Sequence, residues 1–383
     1  MSRNPRLFLV LPVTVALLSA CGGTPTSKPE LLVSTAPAAA STNTPSPTQP
    51  ALPTATPTTA VTLPPAAPIP GLVYIKVVND AASLGLWIVQ ADGQSKQLST
   101  KANPRLSPDQ KQVLYSENGD IWLTDLGTGK IINLTRTNDK VETEYQWWPA
   151  RPGIIVLQYQ PKNKILPMAG YLATVKTDGT NYVVIDEDIG SYSPAALSPD
   201  GQSIAFDRGG IPWVYNVSGG NMPIFPKSFQ EKFQTAANPA WSPDSRKIAW
   251  QLFGDQTGSD GWSGVAVLDL DTLQIMLLHR YTIPGGSTIG NYHLAWSSDG
   301  TWLAVANQAE LAQDGTVSLW VMRPDGSEEH HIGNGDRPVW SLDGTTLIFH
   351  ATSGVFAVKT GEWNPFQVTL PADSQVIDWV KLN

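Results

Sequence analysis

Leu197-Ser198-Pro199-Asp200-Gly201-Gln202-Ser203-Ile204-Ala205-Phe206 is a tight turn running into a β-rich strand, and the chain repeats it. Five further segments align with it: RLSPDQKQVLY (105–115), WWPARPGIIV (147–156), WSPDSRKIAW (241–250), WSSDGTWLAV (296–305) and WSLDGTTLIF (340–349). The positions equivalent to Ser198 are 107, 148, 242, 297 and 341, so the spacings are 41, 50, 44, 55 and 44 residues. Proline presets φ and glycine tolerates positive φ, so Ser-Pro-Asp-Gly closes a short turn. Each unit then continues with a strand such as Ile204–Phe206 and a third such as Leu319-Trp320-Val321-Met322. A second turn follows (Asp178-Gly179, Asp325-Gly326), and a fourth strand such as Ile131–Leu134 closes the unit. Four short antiparallel strands every forty-odd residues predict propeller blades.

The ends supply one more blade. Leu72–Ile75, Leu86–Val89 and Gln97-Leu98 read as strands two, three and four of a unit without its first strand. Val376-Ile377-Asp378-Trp379-Val380 reads as a first strand without the rest. Joining them leaves no free sheet edge and predicts seven blades over residues 71–383, against six if the end strands are decoration.

Before the repeats the composition is different. Residues 22–70 hold 12 Pro, 11 Thr and 9 Ala, only Lys28 and Glu30 charged, and no aromatic, which predicts an extended, solvated tether. Residues 1–20 carry Arg3 and Arg6, then an apolar run Leu7–Leu18 of about 12 residues, short of a transmembrane span. Leu18-Ser19-Ala20-Cys21, followed by Gly22, resembles a bacterial lipoprotein signal. That resemblance implies that Cys21 is lipidated and that the folded part is extracytoplasmic and held at the cell membrane or envelope.

The Ser-Pro-Asp-Gly turn, followed by an Ile-Ala-Phe-like and a Leu-Trp-Val-like strand, resembles the WD40-like repeats of the TolB propeller family. The same repeats occur in the propellers of prolyl-oligopeptidase-type enzymes. The TolB resemblance implies a cell-envelope protein whose propeller docks peptides or protein domains. The chain departs from that family in carrying the Pro/Thr-rich tether where TolB has a small α/β domain.

Composition narrows the function. Lys plus Arg number 25 against 33 Asp plus Glu, a net charge of −8, which argues against nucleic acid as partner. The single Cys leaves no disulfide and no Cys-rich metal site within the chain. No HExxH, nucleophile elbow or phosphate loop occurs, and the neighbours His330-His331 would point to opposite faces of a strand. Trp147, Trp241, Trp296, Trp340 and Trp379 recur at one repeat position, which predicts packing between blades. The recurring Asp109, Asp200, Asp244, Asp299 and Asp343 have a turn role, and Asp186-Glu187-Asp188 reads as a solvated acidic turn. Long connections fall on one face, and Tyr159, Lys162, Lys164, Phe229, Phe233, Trp262, Tyr281 and Tyr292 on or beside them are the predicted binding face. The leading expectation is a non-enzymatic, monomeric, cofactor-free propeller binding a protein, peptide or cell-wall component there. One alternative is a hydrolase, lyase or lactonase-like enzyme with loop carboxylates, and Ca²⁺ in attendance, at the central channel. Another is a structural spacer without a specific ligand.

Overall fold

The computed structural model describes residues 68–79, 82–162, 169–190, 194–224, 230, 233, 235–254, 261–283, 293–307 and 317–382. The signal segment, Cys21 and nearly all of the tether lie outside them.

Seven four-stranded antiparallel sheets form the ring. The first complete blade contains β4 (Arg105–Leu106), β5 (Gln112–Glu117), β6 (Asp120–Asp125) and β7 (Ile131–Asn133). The next comprises β8 (Lys140–Trp147), β9 (Ile154–Pro161), β10 (Ala169–Lys176) and β11 (Val183–Gly190). It is followed by β12 (Ala196–Leu197), β13 (Ser203–Arg208), β14 (Ile211–Asn216) and β15 (Gly220–Pro223). After these come β16 (Thr235–Trp241), β17 (Lys247–Phe253), β18 (Gly261–Asp269) and β19 (Ile275–Ile283). Then follow β20 (His293–Trp296), β21 (Leu303–Asn307), β22 (Ser318–Met322) and β23 (Glu329–Asn334). The last unbroken blade has β24 (Asp336–Trp340), β25 (Thr346–Ala351), β26 (Gly354–Lys359) and β27 (Phe366–Gln367). The closing blade orders β28 (Ser374–Trp379), β1 (Leu72–Asn79), β2 (Ala82–Val89) and β3 (Ser95–Ala102). Leu72 pairs with Trp379 and Val73 with Asp378, so the two ends of the domain share one sheet.

The repeated turn has a common hydrogen-bond plan. In the Ser297 blade the hydroxyl donates to Asp299 Oδ1 at 2.5 Å and accepts the Trp302 amide at 2.8 Å. Asp299 accepts the Thr301 amide at 3.0 Å. Ser107, Ser198, Ser242 and Ser341 repeat the plan with Asp109, Asp200, Asp244 and Asp343, each at 2.6 Å. The serines are buried, so each hydroxyl must be both donor and acceptor, and the turn gives it both. Gly201, Gly300 and Gly344 take φ of 73°, 73° and 72°. Where that glycine is replaced, Gln110 and Ser245 hold φ of 60° and 61°. There the side chain ties turns together: Gln110 Nε2 donates to Lys381 O, and Ser245 Oγ accepts the Asp200 amide.

Blade faces are buried against their neighbours, and the first strands β12, β16, β20, β24 and β28 touch in succession. The indole N–H of Trp147 donates to Arg105 O, Trp241 to Ala196 O, Trp296 to Ala240 O and Trp340 to Ala295 O, all at 3.0–3.1 Å. Each of these bonds crosses from one blade's first strand to the previous one's. Trp379 differs: its indole donates to Pro70 O inside the closing blade, where the chain enters the fold.

The acidic run at 186–188 is not a turn. It lies in β11, where Leu172 pairs with Asp186, and the buried Asp186 carboxylate takes both oxygens to Arg208 Nη2 at 2.8 and 2.9 Å. Strand pairing, not local charge, sets its conformation.

Candidate functional site in the central channel

Residues one or three places before the Trp or Leu at the end of several first strands line a common cavity. One place before stand Ala196, Ala240 and Ala295 in three successive blades, and Arg105, Gln146, Val339 and Asp378 in the other four. A cavity of about 340 Å³ opens where the larger side chains stand. Its walls are Arg105 and Leu106 of β4, Gln146 and Trp147 of β8, His293 of β20, Arg337–Val339 of β24 and Gln375–Asp378 of β28. That volume suits a small molecule.

His293 is the chemical centre. Its Nδ1 lies 2.7 Å from Asp336 Oδ1, and the same oxygen accepts the Arg337 amide at 2.6 Å. Burial pushes the Asp336 carboxyl up, but the His293 hydrogen bond and charge overcome it and hold the group below the ordinary carboxylate range. Asp336 is therefore an acceptor and the Nδ1–H of His293 its donor, so Nε2 is the ring nitrogen not used by this bond. The Arg337 guanidinium bonds Gln375 Oε1 and stands 3.9 Å from Asp336 Oδ2.

Two other groups flank it. Asp378 is open to channel water yet ringed by protein, and that enclosure raises its pKa, although it accepts the Trp379 amide at 2.7 Å. His350, opposite Asp336 across β24 and β25, accepts the Val376 amide on Nε2 at 3.0 Å. Burial, with the Arg337 charge adding to it, pushes its pKa down to about 4, so His350 is a neutral tie between blades. Among the described residues no three His, Cys, Asp or Glu side chains converge as a metal-binding group.

The binding face expected from sequence dissolves in part. Tyr159 is 3% exposed. It shares the inward face of β9 with Ile155 and Leu157 and stacks on Tyr171 at 4.8 Å, with Lys140 Nζ 4.5 Å from the ring centre. Phe233 is buried in the cluster of Trp241 and Trp250. Trp262 is half-buried on the same cluster, so close over Gly254 that a Cβ there would lie 1.8 Å from its indole nitrogen. These three aromatics fill the protein instead of facing a partner. Lys162 is exposed, its Nζ donating to Asn138 O at 3.1 Å. Lys164, Phe229, Tyr292 and the Tyr281 side chain lie outside the described residues. Sequence reasoning passed over His293, Asp336, Arg337 and Asp378, which have no shared motif. Their signal is positional: His293 and Arg337 are both three residues before a recurring tryptophan.

A second cavity, about 460 Å³, lies between the outer strands β18–β19 and the β22–β23 turn. Its charges are mutually engaged, Lys247 with Asp269 and Arg323 with Glu328.

No family model matches the chain, and no curated protein matches it in sequence. Solved structures do match in shape. An oligogalacturonate lyase in complex with manganese superposes with a TM-score of 0.57 at 15% identity, covering 74% of this chain and 87% of that one. A puromycin hydrolase gives 0.51 at 15% identity over 79% of this chain, which spans 54% of the hydrolase. TolB from Acinetobacter baumannii is 20% identical over 68% of this chain and 62% of its own, at 0.44. The likeness is one of fold. Propellers of this shape occur in a lyase and in a hydrolase, so shape alone assigns no activity.

Proposed function

We propose that the chain is an extracytoplasmic propeller enzyme, of the hydrolase or lyase class, working on a small molecule in its central channel. The observation that carries this is His293 fixed by Asp336 at 2.7 Å inside a cavity of about 340 Å³. Asp336 holds the imidazole in one tautomer and stabilises the imidazolium that forms when Nε2 takes a proton. Asp378, which lines the same cavity and whose enclosure favours the protonated form, is the group to return a proton. The lyase and hydrolase fold likenesses support the class and nothing finer. Cys21 remains the proposed lipid attachment, from its lipoprotein-like signal.

The test is turnover by the full chain on two panels, uronate oligosaccharides for β-elimination and peptide or ester anilides for hydrolysis. Wild type should act on one panel, and His293→Gln and Asp336→Asn should lose about 10²–10⁴-fold with unchanged thermal midpoints. Turnover unaffected by either change would reject the site. No turnover on either panel would reject the enzyme reading in favour of non-enzymatic binding.

A further inference from the structure

In or just before three first strands, a residue three places before the terminal Trp or Leu takes left-handed backbone. They are Asn103, Asn238 and Arg337, at φ of 48°, 51° and 52°. At the last two the pairing slips: Ala237 faces Gln251 and Ala240 faces Ala249, while Asp336 faces His350 and Val339 faces Ile348. The slip is thus a recurring bulge, and a bulge re-aims the side chain it carries. Asparagine is the side chain best suited to this conformation after glycine, and two blades use it. The third places arginine there, which pays a conformational cost that asparagine largely avoids. What arginine supplies in return is a guanidinium in the channel, 41% exposed, braced by Gln375 Oε1. Arg105 lines the same cavity, its Nη1 on Pro104 O at 3.2 Å. Three carboxylates stand near these cations: Asp336 is engaged by His293 and the Arg337 amide, with the Arg337 guanidinium 3.9 Å away, Asp378 accepts the Trp379 amide, and Glu144 feels the Arg105 charge.

We infer that Arg337 is the anchor for a carboxylate group on the small molecule that enters the channel, with Arg105 as the second cation. This deepens the proposed reading of the channel as a ligand site and rests on it. A planar guanidinium held on its bulge matches a carboxylate in a way that asparagine does not.

The probe is glutarate, with its neutral diamide as control, titrated into the full chain and followed by calorimetry. Glutarate should bind wild type at least about tenfold more tightly than the diamide. Arg337→Asn should lose at least about tenfold in glutarate affinity while its thermal midpoint stays equal or rises, since asparagine fits the backbone. Equal binding of acid and diamide, no binding of glutarate, or unchanged affinity in Arg337→Asn overturns the inference. A midpoint several degrees lower in Arg337→Asn does so too, by making the arginine a structural brace. His293→Gln separates the two ideas: it should keep glutarate binding and lose turnover. Turnover that depends on His293 without carboxylate preference would sink this inference and leave the enzyme reading standing.

Discussion

At the residue scale the decisive group is the buried serine of the repeated turn. Its hydroxyl holds an aspartate at 2.5–2.6 Å and an amide five residues on at 2.8–2.9 Å. The consequence is electrostatic as well as steric. The Ser341 hydroxyl and the Thr345 amide hold the Asp343 carboxyl down to about 2, and Ser107 with the Lys111 amide lowers Asp109. Depressed carboxylate pKa values stabilise the fold above the ordinary value of 3.8, and that contribution is lost as pH falls toward about 2. His350 acts in the same direction over a higher window. Kept neutral by burial, with a pKa of about 4 against 6.5, it adds stability that is lost as pH falls from 6.5 to about 4. Urea midpoints measured from neutral to strongly acid pH should therefore fall in two stages. Ser341→Ala should cost about 1 kcal/mol at neutral pH and flatten the lower stage, and His350→Gln should flatten the upper one. Unchanged slopes in both variants would refute this account.

At the scale of the element, the blades were legible because each strand is delimited by a turn with its own chemistry. Ser-Pro-Asp-Gly marks the first turn, and Asp178-Gly179 or Asp325-Gly326 the second, where Asp178 and Asp325 each accept an amide two residues on. The same local reading misjudged Asp186, because its partner Arg208 lies 22 residues away in another blade. It also missed the channel site, whose members meet only when first strands from distant repeats gather round one axis. Alternation along β9 could have warned that Tyr159 belongs with Ile155 and Leu157 inside. The closing blade, by contrast, followed from counting strands. β28 pairs with β1 from Leu72 to Lys76, and Val73, Val376 and Asp378 line the cavity. Deleting residues 376–383 removes most of that inner strand and exposes the β1 edge. Starting the domain at Lys101 removes β1, β2 and most of β3. Either truncation should abolish cooperative thermal unfolding, whereas starting at residue 68 should leave the midpoint unchanged. A truncated protein that melts like wild type would mean that the ring does not need this blade.

At the scale of the whole molecule, the proposed address rests on Cys21. Labelled fatty acid fed to a bacterial host should mark wild type, and Cys21→Ala should lose both the label and membrane retention. Retention of an unlabelled variant would reject lipidation at Cys21. Just before β1, Pro70 O accepts the indole N–H of Trp379, its partner 309 residues away along the chain. That separation bears on biogenesis. β1 emerges first from the ribosome but has no inner neighbour until β28 has been made, so closure is a late, high-contact-order event. The closing sheet therefore stays open until β28 has been made. A product arrested before Ser374 would carry a bare hydrogen-bonding edge, which marks it for proteolysis or for pairing with another chain. In this architecture the arrival of β28 is also the act that seals the channel wall and completes the pocket.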